Sequence, residues 1–301
     1  MIDPTKLTAI QTVYYHGSCP DGITAREVLK YALKGVKFVP YYFTELKFIP
    51  KKALFIDCSP KDEQLEECLK SGCLVAEHHE SFVEGYNRLN DIYPGQMTLG
   101  DNSKAESGAT LALHIVEILR GGSHWNQGIL NLVRLISISD TWKKDDPDFA
   151  LARMFAGYIA FFGNDFCESL GDLAKKEDVV RAFGAVQTRR QEVLAKGAVR
   201  TEENGFKVAF INDLNMSNAA ELLRTQEGTD LVVGYIVKFD DRLNQNIVIY
   251  SLRSQEDGFD VSKFAKANGG GGHKAAAGFS IPYLFGVDPI ANFLSERLNA
   301  R

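Results

Sequence analysis

The stretch Ala53-Leu54-Phe55-Ile56-Asp57 is a short, wholly apolar run that ends on a carboxylate. A run of this length without alternating polar residues is typical of a strand buried on both faces. β-Rich runs stand on either side of it along the chain, at residues 12–16, 36–43 and 73–76. A helical pattern at residues 21–34 separates the first two. Short apolar strands that alternate with helices predict right-handed βαβ units and a parallel sheet.

The pattern changes in the second half of the chain. Residues 125–196 are mostly helical and end in a long, polar helix from residue 179. Beyond Gly197, β-rich runs return at residues 208–211, 231–237 and 247–252. We therefore predict an α/β protein of two domains, with a boundary near residues 190–205. Residues 1–190 form a parallel-sheet domain with a helical extension that ends in a connector helix, and residues 200–301 form a smaller α/β domain.

Bulk composition narrows the classes of function. The net charge of −5 argues against a broad electrostatic grip on long nucleic acid, although a local basic site for a small anion is compatible with it. The N-terminus has no signal-peptide pattern, and the longest apolar runs are shorter than a membrane span. The five cysteines form no CxxC pair, so reduced thiols are the simplest account. We expect a cytoplasmic protein without a membrane partner.

Metal-type side chains follow the predicted strands and one later apolar segment. They are His16, Asp21, Asp57, His78, His79 and Asp140. In an open parallel sheet, ligands bind beyond the carboxyl ends of the strands. Taken singly, each aspartate could cap a helix or begin a turn. Taken together, carboxylates and imidazoles suit Mn²⁺, Fe²⁺ or Zn²⁺, and a set of this size could hold two ions for hydrolysis.

A glycine run, Gly269-Gly270-Gly271-Gly272-His273-Lys274, stands near the C-terminus. Four consecutive glycines carry a large backbone-entropy cost, so we expect neither a helix nor a strand there. Their N–H groups could point at one anion, with the histidine and lysine facing it. A flexible linker is the alternative, but a linker would be richer in polar residues than the Ala-Ala-Ala-Gly-Phe that follows.

These residues resemble the motifs of the DHH phosphoesterase superfamily with a C-terminal DHHA1 domain, over nearly the whole chain. The signature Asp-His-His corresponds to Glu77-His78-His79. The other motifs of the catalytic part correspond to His16 with Asp21-Gly22, to Asp57, to Ser107-Gly108-Ala109-Thr110 and to Asp140. The DHHA1 motifs correspond to Ser251-Leu252-Arg253-Ser254, to Asp260-Val261-Ser262 and to the glycine run with His273.

The resemblance implies a catalytic DHH domain that binds one or two divalent ions, usually Mn²⁺, with Co²⁺ or Mg²⁺ as alternatives. Asp57 would bridge the ions, and His79 would face the leaving group or the charge of the transition state. Asp21, His78 and Asp140 would complete the coordination of one ion, and His16 would help to hold the other. The DHHA1 domain would bind the substrate phosphate in an interdomain cleft through Arg253, Ser254, Gly270, Gly271, Gly272 and His273.

Two positions depart from the motifs. Cys19 stands where the first motif has a second aspartate, two residues before Asp21. Because a thiolate is a poor partner for Mn²⁺, the ion nearest His16 could be weakly bound, altered in identity or absent until substrate arrives. Alternatively the loop shifts, and Ser18 or water takes the place. Glu77 replaces the signature aspartate, and we expect it to orient an imidazole by a hydrogen bond.

The resemblance implies metal-dependent hydrolysis of phosphoester bonds. Small nucleotides or short oligonucleotides are the favoured substrates, with Phe279 or Tyr42 as candidate stacking partners. Polyphosphate or another phosphoanhydride is an alternative, for which a lysine-lined channel would be expected. A non-catalytic nucleotide-binding module with a partly degraded metal site is the alternative from another class.

Overall fold

In this computed structural model, the structure describes residues 2–17, 19–42, 45–122, 125–203, 205–214, 216–241, 243–255 and 257–294. The chain divides into two compact units, Met1–Ala185 and Val186–Arg301. The division falls inside one long helix, α9 (Glu177–Lys196). Ser18, which one alternative for the first motif invokes, lies outside the described residues.

The N-terminal unit is built on a parallel sheet of five strands in the order β2-β1-β3-β4-β5. The strands are β1 (Thr12–His16), β2 (Lys37–Tyr41), β3 (Ala53–Ile56), β4 (Leu74–Glu77) and β5 (Met97–Leu99). Four of these five strands were expected from the sequence, within a few residues at each end. The exception, β5, is three residues long and has too few apolar positions to show a period.

Helices cover both faces of this sheet. They are α1 (Pro4–Leu7), α2 (Pro20–Leu29), α3 (Asp62–Lys70), α4 (Val83–Leu89), α5 (Gly108–Arg120), α6 (Gln127–Asp140), α7 (Phe149–Phe162) and α8 (Leu170–Leu173). Short 3₁₀ helices lie at Glu80–Phe82, Asn102–Lys104 and Gly163–Asp165. Within the described residues, no helix combines the length and the apolar character needed to cross a membrane.

β3 and β4 are buried on both faces, as an apolar run without alternation requires, whereas β1, β2 and β5 are only partly buried. Leu54 and Ile56 of β3 face one core with α2, α5, α6 and α7, whereas Phe55 faces a second core with α3 and α4. All three side chains are fully buried. This double cover leaves the carboxyl ends of β1, β3 and β4 as the part of the sheet where polar residues lie.

The C-terminal unit has a mixed sheet of six strands in the order β10-β11-β9-β8-β7-β6. Its strands are β6 (Val199–Glu203), β7 (Phe206–Ile211), β8 (Leu231–Asp240), β9 (Gln245–Ser254), β10 (Gly271–His273) and β11 (Ala276–Pro282). Only β7 and β8 pair in parallel among these described strands. The helices are α10 (Ser217–Glu227), α11 (Val261–Ala267) and α12 (Pro289–Asn292), with α10 on one face and the other two on the opposite face.

The glycine run differs from the expectation that it forms neither helix nor strand. Gly271 and Gly272 belong to β10, an edge strand that pairs with β11 through a two-residue turn. Gly270 and Gly272 are required by packing: a Cβ would lie 2.0 Å from the Gly278 carbonyl oxygen at the first position and 2.6 Å from the Ala276 carbonyl oxygen at the second. Close backbone packing thus outweighs the entropy cost of the glycines.

Replacing Phe55 tests the double-faced core. Phe55 is fully buried and its ring stacks on that of Tyr14 at a centroid distance of 4.8 Å. We expect Phe55→Ala to lower the free energy of unfolding by about 3–5 kcal/mol, because it removes a buried aromatic ring and leaves a cavity. Denaturant unfolding followed by tryptophan fluorescence reports on this unit, since both tryptophans, Trp125 and Trp142, lie in it.

Phe48→Ala is the matched control, because Phe48 is 85% exposed. It should change the free energy of unfolding by no more than about 0.5 kcal/mol. Equal effects of the two substitutions would contradict a core on this face of β3.

Candidate metal centre

One cluster of metal-type side chains lies beyond the carboxyl ends of β1, β3 and β4. The structure brings together there all seven candidates from the N-terminal unit: His16, Cys19, Asp21, Asp57, His78, His79 and Asp140. Three neighbouring strands deliver four of them, the start of α2 delivers two, and the last residue of α6 delivers Asp140. The edge of the sheet therefore gathers residues from distant parts of the sequence.

Asp57 is the central carboxylate of the cluster. Its backbone N–H donates to the Ala76 carbonyl (3.0 Å), so it prolongs the pairing of β3 with β4. Its φ of 57° is left-handed, a conformation that aspartate tolerates better than most side chains. Oδ1 lies 2.9 Å from Nε2 of His78, and Oδ2 lies 3.4 Å from Nδ1 of His16. One carboxylate thereby spans the imidazoles that follow two different strands.

Asn102 orients His78 by contacts at both ends of its amide. The amide Nδ2 donates to the His78 carbonyl (3.1 Å), which leaves Oδ1 as the acceptor facing Nδ1 of the ring (2.8 Å). Nδ1 must then carry a proton, so Nε2 faces the carboxylates as a donor in the protonated ring and offers its lone pair to a cation in the neutral ring. Nε2 lies 2.9 Å from Asp57 Oδ1, 3.4 Å from Asp140 Oδ2 and 3.8 Å from Asp21 Oδ2.

Asp21 is held at the junction of α2 and α5. Its Oδ1 accepts from the Ser107 hydroxyl (2.6 Å) and from the Ala109 backbone N–H (3.1 Å) at the start of α5. The Ser107 hydroxyl is in turn 2.8 Å from that of Ser137, which is 2.7 Å from that of Thr110. These contacts satisfy Oδ1 and turn Oδ2 toward His78.

Two glycines allow the elements of the site to approach each other. A Cβ on Gly108 would lie 2.4 Å from the Cβ of Asp57 and 2.8 Å from Asp21 Oδ2. A Cβ on Gly22 would lie 2.4 Å from the His16 carbonyl oxygen. The glycines in these two motifs therefore serve close packing, because any side chain would displace a carboxylate or the end of β1.

Glu77 orients the second imidazole of the signature. Its side chain accepts from both the backbone N–H and the ring Nδ1 of His79. Glu77 is fully buried and His79 is 7% exposed, so little solvent competes for these hydrogen bonds. The structure thus shows the orienting contact that the sequence analysis expects from Glu77, and it leaves Nε2 as the other nitrogen of the His79 ring.

Burial and mutual repulsion shape the charges of the cluster. Burial, together with the charges of Asp57 and Asp140, raises the pKa of Asp21 well above its ordinary value. Burial alone would also raise the pKa of Asp57, yet its contacts with His16 and His78 hold that pKa well below the ordinary range. Burial alone would lower the pKa of His78, but its hydrogen bond to Asp57 and the nearby carboxylates raise that pKa well above the ordinary value. Positive charge therefore stabilises the cluster.

The donor set fits a bound divalent cation. Oδ2 of Asp21, of Asp57 and of Asp140 are buried and make no hydrogen bond with the described residues. A buried carboxylate oxygen without a partner is costly unless a cation or water meets it. Candidate ligand atoms lie within 4.8 Å of one another in three groups: Asp21–His78–Asp140, Asp57–His78–His79 and His16–Cys19–Asp57.

In the C-terminal unit, Arg253 and His273 share one face of the sheet. His273 is opposite Ala276, which is opposite Arg253, and directly opposed residues of antiparallel strands point to the same face. Two strand spacings, roughly 10 Å, separate the two backbones, with only the methyl group of Ala276 between them. The guanidinium of Arg253 donates to the hydroxyls of Ser251 (3.1 Å) and Ser217 (3.3 Å). A small anion could contact both side chains across Ala276.

Other residues predicted to bind substrate have a different position. Ser254 follows Arg253 in β9 and faces the opposite side of the sheet, because successive strand residues alternate. It is fully buried and its hydroxyl donates to the Phe259 carbonyl (2.6 Å). Phe279, a candidate for base stacking, is 4% exposed and packs in the core of this unit. Gly271, in contrast, has open space where a Cβ would stand.

No motif in the sequence assigns a role to Asn102 or Ser137. Asn102 lies in a 3₁₀ turn and Ser137 lies inside the apolar helix α6. Ser137 could have been singled out in the sequence because it is a polar residue among the apolar positions on the buried side of the helix. Nothing comparable distinguishes Asn102 from its polar neighbours before the structure brings it to His78.

Comparisons with known proteins agree with this architecture. Residues 191–300 match the model of the DHHA1 domain family. The solved DHH domain of a member of a ribosomal protein family aligns with 93% of this chain and 84% of its own, with a TM-score of 0.53 at 14% identity. At that identity the similarity establishes the fold alone.

Two further solved structures align at lower scores. A pGpG-specific phosphodiesterase, PggH, from Vibrio cholerae aligns with 91% of this chain and 93% of its own (TM-score 0.43, 12% identity). An exopolyphosphatase-related protein from Bacteroides fragilis aligns with 96% and 92% (TM-score 0.45, 12% identity). No curated protein sequence matches the chain.

The fold and the family match define the class of this protein. It is an α/β protein whose N-terminal unit carries a parallel sheet and whose residues 191–300 match the DHHA1 domain family. The match of residues 191–300 to the DHHA1 domain family agrees with the motifs of that part of the chain, and the solved DHH domain shares the fold of this chain.

Replacing Gly108 tests the close packing of the centre. In Gly108→Ala the new methyl group would displace Asp57 or Asp21, so we expect Mn²⁺ affinity to fall at least about tenfold, the scale on which displaced supporting residues act. Titration with Mn²⁺, followed by the paramagnetic resonance of the free ion, measures this change.

Gly157→Ala in α7 is the control, since no atom outside its own helical turns lies within 4 Å of a Cβ there. It should leave Mn²⁺ affinity unchanged and stabilise the helix by roughly 0.5–1 kcal/mol. If the two alanine variants bind Mn²⁺ equally well, Gly108 does not shape the centre.

Proposed function

We propose that this protein is a metal-dependent phosphoesterase that hydrolyses small nucleotides or short oligonucleotides. The observation on which the proposal rests is the convergence of buried carboxylates on Nε2 of His78, with an oxygen of each of three aspartates left without a hydrogen bond among the described residues. Structural ion pairs leave few acceptors unsatisfied, whereas a centre that binds cations requires them. The motifs of a phosphoesterase superfamily supply the reaction class.

Asp21, His78 and Asp140 would hold one divalent ion, and Asp57 and His16 would hold a second. Mn²⁺ suits the first set, which consists of carboxylate oxygens and an imidazole. A bound divalent ion stabilises negative charge on phosphate oxygens and lowers the pKa of water. Asp57 would belong to both positions, because its Oδ1 faces His78 and its Oδ2 faces His16.

His79 would act on the reacting phosphate. Glu77 fixes the ring through Nδ1, so Nε2 is the nitrogen that can contact substrate. Burial alone would lower the pKa of His79, but the charge of Glu77 raises it above the ordinary value. A cationic imidazole can donate a hydrogen bond to a non-bridging oxygen or a proton to the leaving group.

Arg253 and His273 would bind a phosphate of the substrate in the C-terminal unit. Their shared face, the small residue between them and the open space at Gly271 support this role. A planar guanidinium matches a phosphate with two parallel hydrogen bonds. The edge strand β10 also directs alternate backbone N–H groups away from β11, where an anion could accept from them.

The net charge of −5 supports a small substrate rather than long nucleic acid. The cysteines are free, which supports a reducing compartment such as the cytoplasm; they are Cys19, Cys58, Cys68, Cys73 and Cys167.

A substrate panel in Mn²⁺ would separate the alternative substrates: dinucleotides and phosphoadenosine phosphate would be compared with polyphosphate. Stoichiometric nucleotide binding without turnover on any of them would favour the non-catalytic module.

Removing the charge of Asp57 tests the metal-dependent mechanism. Asp57→Asn keeps the shape of the side chain but removes the carboxylate that faces both imidazoles, so we expect hydrolysis to fall by about 10³-fold or more. Initial rates on the preferred substrate of the panel measure the loss, with circular dichroism to verify folding. Asp91→Asn, an exposed position, should retain full activity. Near-normal turnover in folded Asp57→Asn would reject this mechanism.

Removing Arg253 tests phosphate binding by the C-terminal unit. Arg253→Ala should raise KM and lower kcat, because the guanidinium would bind the phosphate in both the ground state and the transition state. Losing a charge-assisted hydrogen bond should raise KM by roughly tenfold or more. Lys238→Ala, an exposed cation on β8, controls for the loss of general positive charge and should leave both constants unchanged. An unchanged KM in Arg253→Ala would assign the arginine another role.

A further inference from the structure

We propose that His16, Cys19 and Asp57 form a cation site in which the Cys19 thiolate is a ligand, so that this position takes a thiophilic ion such as Zn²⁺ in place of Mn²⁺. The two positions of the centre would then differ in metal preference. This inference rests on the proposed function, because both positions belong to the same centre.

The geometry brings three different donor types to one point. A ring nitrogen of His16, Sγ of Cys19 and a carboxylate oxygen of Asp57 lie within 4.8 Å of one another. Asp57 is fully buried, and its Oδ2, which faces His16, makes no hydrogen bond with the described residues. A buried acceptor beside a thiol and an imidazole is a position that a shared cation would satisfy.

Helix capping does not explain the position of Cys19. It is the residue before α2, where serine, threonine, aspartate or asparagine would cap the helix, but its side chain makes no capping hydrogen bond. Its Sγ makes a long polar contact with Asp140 Oδ1, at 3.8 Å. The thiol therefore lies among the carboxylates of the centre.

Ligand chemistry separates the two positions. The Asp21–His78–Asp140 group offers oxygen and nitrogen, which suit Mn²⁺ or Mg²⁺. The His16–Cys19–Asp57 group offers nitrogen, sulfur and oxygen, and a thiolate ligand selects Zn²⁺ over Mn²⁺ by a wide margin. On binding, a sulfur–metal bond forms as the S–H bond breaks, and the proton passes to solvent.

Cobalt absorption tests the sulfur ligand directly. Co²⁺ bound to a thiolate gives a near-ultraviolet charge-transfer band that oxygen and nitrogen ligands do not give. We expect this band in the unaltered protein and in Cys167→Ser, an exposed-cysteine control. It should be absent in Cys19→Ser and in Cys19→Asp, in which the carboxylate of the family motif is restored.

Competition between ions gives the second measurement. The ratio of Zn²⁺ affinity to Mn²⁺ affinity should fall at least about tenfold in Cys19→Asp, because the ligand that favours Zn²⁺ is replaced by one that favours Mn²⁺. Bound Zn²⁺ should also protect Cys19 of the unaltered protein from alkylation, read by mass spectrometry. This last readout does not depend on a variant that folds.

The outcomes separate the two proposals. A cobalt band that persists in Cys19→Ser, or alkylation of Cys19 at the same rate with and without Zn²⁺, would overturn the sulfur ligand. Hydrolysis that survives this result would leave the phosphoesterase proposal standing. A band that depends on Cys19 in a protein that hydrolyses no member of the substrate panel would instead reject the phosphoesterase and retain the site.

Discussion

Three carboxylates within 4 Å of a single imidazole nitrogen are the constraint on which the N-terminal unit depends. Asp21 and Asp57 are fully buried, so water cannot screen their repulsion. Like charges at this distance in a poorly screened site destabilise the fold unless positive charge offsets them. A protonated His78 can offset part of this repulsion, and a divalent cation can offset more. Cation binding at this cluster would therefore be coupled to the folding of this unit.

The fold meets this constraint with backbone N–H groups and hydroxyls rather than with additional charged side chains. The Ala109 N–H group and the hydroxyls around Ser107 satisfy one oxygen of Asp21, while the glycine at the start of α5 lets that helix approach. The left-handed Asp57 turns the carboxylate out of the sheet where the strand ends. Neutral donors fix positions without changing the charge balance, so the cluster stays attractive to a cation.

Periodicity and chain order predicted the parallel sheet and the gathering of polar residues at its strand ends, because both depend on local apolar pattern. The role of Asn102 could not be predicted, since it depends on a contact 24 residues away in sequence. For the glycine run, the expectation that it forms no strand was wrong. Its intrinsic cost argued against a strand, but packing of Gly270 and Gly272 against the neighbouring strand, a non-local effect, decided the conformation. The side chain of Ser254 does not share the face of Arg253, because side chains alternate along β9 and Ser254 is on the opposite face of the sheet.

The two-residue turn between β10 and β11 has a consequence beyond connectivity. It sets the pairing of His273 with Ala276, and the side chains of a strand alternate with a period of two. Inserting one residue after Lys274 while the strands keep a two-residue turn would shift this register by one position. His273 would then be opposite Ala277, on the apolar side of the sheet, and Lys274 would take its place, with every charged residue still present in the sequence. The shared face of His273 and Arg253 can therefore be lost through turn length alone, which makes this loop a poor place for natural insertions.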